Sequence, residues 1–63
     1  MRDIDQKLYE YIKTLSPGTH CAMECYAVPG VTSENVADIL RQLAAEKKIR
    51  LEEKYFQLPF TIL

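Results

Sequence analysis

His20, Cys21 and Cys25 are the side chains whose types could do covalent or metal chemistry. An imidazole and two thiols could give a metal up to three ligands. A zinc site normally takes four, as paired CxxC or HxxxH units, and no second half is present. A nucleophilic cysteine also needs a base in reach and a third group to orient it. Neighbours on a helix diverge, and no such Asp or Asn is apparent near His20. Glu52 and Glu53 fall on opposite sides of a strand or in a turn, which suits them poorly to paired acid–base work. Neither a phosphate loop nor a dinucleotide fingerprint occurs. Accordingly, no catalytic residue, metal or cofactor is expected. Cys21 and Cys25 stand one helical turn apart. A bridge closing so short a loop adds little, so both are read as small apolar core residues. A metal- or redox-responsive module using the two thiols is a third reading, behind the two below.

A second set of residues could bind without reacting: Thr32, Ser33, Asn35, Asp38, Arg41, Gln42, Lys48, Arg50 and Lys54. Arginine can pair with guanine, Asn or Gln with adenine, and an acidic side chain can accept from cytosine. Thr32 and Ser33 could reach phosphate. The chain's net charge of −1 gives no overall basic footprint. Glu34 and Asp38 oppose the phosphate charge that a duplex presents. Ala37, Ala44 and Ala45 instead leave a smooth strip on which a protein could pack.

The elements that must position these groups follow from periodicity. Ile4, Leu8, Tyr11, Ile12 and Leu15 recur at helical spacing, with Asp3 able to cap and Gln6 completing a loose capping box. Ser16-Pro17-Gly18-Thr19 ends that helix. Thr19–Ala27 reads as a short second helix with Ala22, Cys25 and Tyr26 near the core, although Thr19-His20-Cys21 would also serve as a strand. Val28-Pro29-Gly30-Val31 is a turn. Thr32 or Ser33 caps a third helix, 32–47, buried along Val36, Leu40 and Leu43 with Ile39 and Ala44 at its edges. Ile49-Arg50-Leu51-Glu52 alternates as a half-buried strand does. Pro59 would interrupt a tight hairpin ladder, so the return strand is placed at Phe60-Thr61-Ile62-Leu63, and 49–63 forms a wing.

Ala22, Cys25, the turn Pro29-Gly30-Val31-Thr32-Ser33, then Val36, Leu40, Leu43 and Ile49 resemble the winged helix-turn-helix superfamily. The resemblance implies an α+β fold of three helices with a C-terminal β-hairpin wing, forming a single domain over 1–63. The length, the opening Ile-Asp-Gln-Lys-Leu style helix and Pro59-Phe60 are similar to the Z-alpha domains. Ala37 and Arg41 stand where those place an Asn and a Tyr, and the wing Trp is missing, so the left-handed-duplex activity is not carried over.

With 63 residues there is no room for a deep cleft between two lobes, which disfavours an enzyme. Uncharged runs such as Tyr55–Leu63 fall far short of the ~20 residues of a membrane span. No signal peptide is recognised, which points to a cytoplasmic protein. Two functions are expected. In the first, the chain is a small DNA-binding transcriptional regulator, with helix 32–47 in the major groove and the wing on the backbone of double-stranded DNA. In the second, it is a protein-interaction winged helix, an adaptor or inhibitor of a larger nucleic-acid enzyme, that binds no DNA. The apolar tail Leu58–Leu63 suggests a homodimer through the C-terminal segment.

Overall fold

The computed structural model describes residues 1–63. Helix α1, Asp3–Ile12, forms where Ile4, Leu8 and Ile12 share a face, and Leu8 and Ile12 are fully buried. Its start differs from the expectation. Arg2 is the cap residue, and its backbone N–H donates to Asp5 Oδ2 at 3.1 Å. Asp5 stands three residues beyond the cap, where a carboxylate reaches back to the cap amide. Asp3 and Gln6 are exposed.

The expected second helix divides in two. Thr19–His20 is strand β1, and Ala22–Ala27 is a 3-10 helix. The Glu24 N–H donates to the Cys21 carbonyl and the Val28 N–H to the Cys25 carbonyl, the tighter i to i+3 pattern. Pairing of β1 with the last strand removes the residues that would have lengthened this helix. Pro29 and Gly30, at φ +92°, turn the chain immediately after it.

Helix α2, Val36–Ala45, follows a hydrogen-bonded turn over 32–35. The cap residue is Asn35, whose side chain makes no cap bond, and not the expected Thr32 or Ser33. Thr32 closes the preceding turn, its Oγ1 accepting from the Glu34 N–H at 3.2 Å and its carbonyl from the Val36 N–H at 3.0 Å. At the other end, Lys47 takes a left-handed conformation, φ +63°. The Lys48 N–H returns to the Leu43 carbonyl at 2.9 Å and the Lys47 N–H to the Ala44 carbonyl at 3.0 Å. This is the Schellman closure, in which glycine is the usual residue. Regular helix is therefore shorter at both ends than 32–47.

Strands β2, Ile49–Leu51, and β3, Phe60–Ile62, pair antiparallel, with Ile49 opposite Ile62 and Leu51 opposite Phe60. β3 also pairs with β1, Thr19 opposite Thr61, so the sheet order is β1-β3-β2. The return strand lies beyond Pro59, as its missing N–H dictates. Architecturally this is a small α+β fold of three helices and a three-stranded antiparallel sheet.

The core joins Leu8 and Ile12 of α1, Cys25, Val36, Ile39, Leu40 and Leu43 of α2, and Ile49 and Phe60 of the sheet. Two placements differ from the periodicity reading. Ile39, expected at an edge, is buried, because α2 packs against α1, the 3-10 helix and β2 and so hides a broad face. Tyr26, expected near the core, is 46% exposed. The tight 3-10 turn directs Ala22 and Cys25 inward and leaves Tyr26 outside. No helix is long and apolar enough to cross a membrane.

Candidate binding face at the start of helix α2

The polar residues singled out above are largely engaged by their neighbours. Asn35 is half-buried and uses both ends of its amide locally. Its Oδ1 accepts from the Thr32 N–H and its Nδ2 donates to the Gly30 carbonyl, each at 2.8 Å. These bonds close the turn and commit one donor and the acceptor of the Asn35 amide within the chain. Arg41 donates from Nε to the Glu53 carboxylate, tying α2 to the β2–β3 loop. Gln42 donates to Glu46 at 3.0 Å.

Asp38 is paired as well. Arg2 Nη1 lies 2.8 Å from its carboxylate. The same guanidinium donates twice to Asp5, from Nε and from Nη2, each at 2.9 Å. Arg2 therefore links the first turn of α1 to the exposed side of α2. Its guanidinium holds the Asp5 carboxyl below the ordinary range, against the opposing cost of burial. Arg2 carries no sign of this role in the sequence, because helix caps are ordinarily Ser, Thr, Asp or Asn.

The basic groups fall into separate places. Lys48 is half-buried, with its ammonium 5.3 Å from the Tyr9 ring centroid, and Lys13 approaches the same ring at 5.0 Å. Both lie within cation–π range. Arg50 projects from β2 opposite Thr61, exposed and without an ion pair. Lys54 is exposed beside Tyr55 on the β2–β3 loop. Thr32 and Ser33 remain solvent-facing at the start of α2.

What the sequence reading did not anticipate is an apolar groove of about 380 Å³ against this same end of α2. Met23 and Tyr26 of the 3-10 helix form one wall. Ser33 and Ala37 form the second, and Phe56 and Leu58 of the β2–β3 loop the third. The loop is folded back to make it. The Ala22 N–H donates to the Gln57 carbonyl at 3.1 Å, and Leu58 adopts φ +50°. Met23 is 75% exposed and Phe56 97%. Burying a phenylalanine is among the larger apolar gains available to a chain, so leaving one in water beside a groove marks an unfilled surface. Its signal in the sequence was Tyr55-Phe56, an aromatic pair directly after the charged stretch Glu52-Glu53-Lys54.

His20 and the cysteines sit apart from any open coordination geometry. One His20 nitrogen, Nε2, faces the Ser16 carbonyl at 2.6 Å, and the other, Nδ1, faces Glu24 at 2.9 Å. Both partners are acceptors, which favours the doubly protonated ring and raises its pKa. Cys25 is buried, and desolvation, aided by the nearby Glu24 charge, pushes its thiol up to about 12. It is an unreactive core group. Cys21 differs from the core role expected of it, since it is half-exposed at the edge of the groove.

No family model matches this chain. Neither a curated protein nor a solved structure is a significant match. The functional reading therefore stands on the residues themselves.

Proposed function

We propose that the chain is a winged helix-turn-helix domain used to dock protein, with the groove at the start of α2 as its contact surface. The order of helices, the Gly30 turn and the β2–β3 hairpin support the winged-helix reading. One observation carries the functional one: Phe56 is almost fully exposed beside Met23, Tyr26 and Ala37, on the face a DNA reader would present to the major groove. Interface centres are enriched in aromatic residues and Met and depleted in charge. The side chains best suited to base edges, Arg41 and Asn35, are bonded within the chain. Glu34 is exposed there and lacks a cationic partner. The same reading puts the chain in the cytoplasm, where Cys21 and Cys25 stay reduced.

A DNA-binding regulator is the second reading, favoured by one specific observation. Arg2 neutralises Asp38, which removes one of the two charges that oppose a duplex. Arg50 and Lys54 remain for phosphate contact.

An amide chemical-shift titration with random-sequence duplex at low salt separates the two. Docking predicts that residues 32–48 and the β2–β3 loop stay unperturbed. Saturable shifts at Ser33, Arg41 and Lys54 that vanish with added salt would install the DNA reading instead.

A further inference from the structure

We infer that the occupant of the groove is a second copy of this chain, in a two-fold arrangement that inserts Phe56 of each copy into the groove of the other. The inference rests on the docking reading above and names its partner. Three observations carry it. The first is shape. A protruding side chain forms the rim of a recess on one face: Phe56, at 97% exposure, borders the groove of about 380 Å³. An isologous interface requires that self-complementarity, because the same patch must supply both knob and hole. An apolar cavity of about 150 Å³ already holds a benzene ring, so the groove can receive a phenyl group.

The second observation is charge. Lys54 precedes the knob by two residues, and Glu34 adjoins Ser33 on the far wall of the hole; both are exposed and neither has an ion-pair partner. A two-fold placement of Phe56 brings the loop carrying Lys54 of one copy toward Glu34 of the other, twice over. A net charge of −1 on each chain adds almost no long-range repulsion.

The third is area. Covering Met23, Tyr26, Phe56 and the groove walls on both copies would remove on the order of 1,000 Å² from water, the low end of specific interfaces. An interface of this size fits a reversible pairing rather than an obligate dimer.

The test is the molar mass of the purified chain by sedimentation equilibrium, from micromolar to millimolar concentration. It uses wild type, Phe56→Ser, Glu34→Lys, Lys54→Glu and the Glu34→Lys/Lys54→Glu double variant, with folding checked by circular dichroism. Because all three positions are exposed, the variants should keep the fold. The inference expects a concentration-dependent dimer that Phe56→Ser weakens tenfold or more. Either charge reversal alone should weaken it several-fold, and the double variant should recover wild-type affinity. A chain that stays monomeric throughout, or a Phe56→Ser variant that dimerises like wild type, overturns it. Failure of the double variant to recover overturns the two-fold geometry. If the monomeric chain also leaves duplex unbound, only self-association falls and a different protein fills the groove. If it binds duplex through residues 32–48, the docking reading falls too.

Discussion

Arg41 and Glu53 are bonded across the gap between α2 and the β2–β3 loop, so the residue best placed to read a guanine is held by a carboxylate of its own chain. Opening this pair is informative. Glu53→Ala frees the guanidinium and removes one negative charge. With docking as the function, affinity for duplex in a low-salt fluorescence-anisotropy titration stays undetectable after the change. A DNA reader would gain affinity several-fold and show a steeper salt dependence.

The Arg2–Asp5–Asp38 link predicts an unequal pair of variants. Asp38→Asn removes an exposed partner and should shift stability by less than about 0.5 kcal/mol. Asp5→Ala deletes a buried acceptor of three hydrogen bonds from Arg2 and should cost about 1–3 kcal/mol. Urea melts at neutral pH check both. The Asp5 carboxyl is held below 3.8 in the folded chain. Its contribution is therefore present above that value and is lost as acid takes the pH down through the lowered folded pKa.

His20 predicts a stability limit on the alkaline side. The Ser16 carbonyl and the Glu24 carboxylate raise its pKa above 6.5 in the folded state. A raised pKa stabilises fully below the unfolded value and stops doing so as pH climbs through the folded one. Glu24 is lowered from 4.5 by the Cys21 N–H and by His20, so its part is lost on acidification. The pair should be most effective between 4.5 and 6.5. Thermal melts from about pH 6 to pH 9 should show wild type losing stability relative to His20→Gln, in which the ring no longer titrates. Parallel curves would contradict the geometry.

Lys47 predicts a gain. It holds φ +63° at the Schellman position, where a side chain is strained and glycine is not. Lys47→Gly should stabilise by about 0.5–1 kcal/mol, seen as a Tm higher by about 4–8 °C per kcal/mol in a domain this size. Gly30→Ala should do the reverse. Gly30 sits at φ +92°, and an added Cβ would lie 3.1 Å from Ile4 Cδ1. Its Tm should fall.

The buried side of this fold was legible because burial repeats with the period of the element. Leu8 and Ile12, then Val36, Leu40 and Leu43, occupy the core positions their spacing assigned. Pro59 located the return strand through a missing donor, a property local to one residue. Ile39 and Tyr26 were misjudged because their exposure depends on how many elements pack around a helix, which no local pattern encodes. The candidate face was harder still. Asn35, Asp38 and Arg41 read correctly as polar residues near the start of α2. Asn35 closes its own turn onto Gly30, whereas the partners Arg2 of Asp38 and Glu53 of Arg41 are chosen by tertiary placement. The groove needs a loop that doubles back on an uncommon backbone angle at Leu58, and leucine gives no advance sign of it.

The sheet order has a consequence for how the chain is made. β3 is the strand latest in sequence, yet it is the middle one, and both β1 and β2 bond only to it. A ribosome releasing the chain from its N-terminal end therefore exposes two strands with no partner, while α1 and α2 can already begin to pair. Until Phe60, Thr61 and Ile62 emerge, the sheet does not exist and Phe60 is missing from the core. Folding is then set by the arrival of those few residues, and the hairpin must thread its closing strand between edges that wait on either side. A nascent chain arrested before residue 60 would be helical at best, and a protease would meet it as an open substrate.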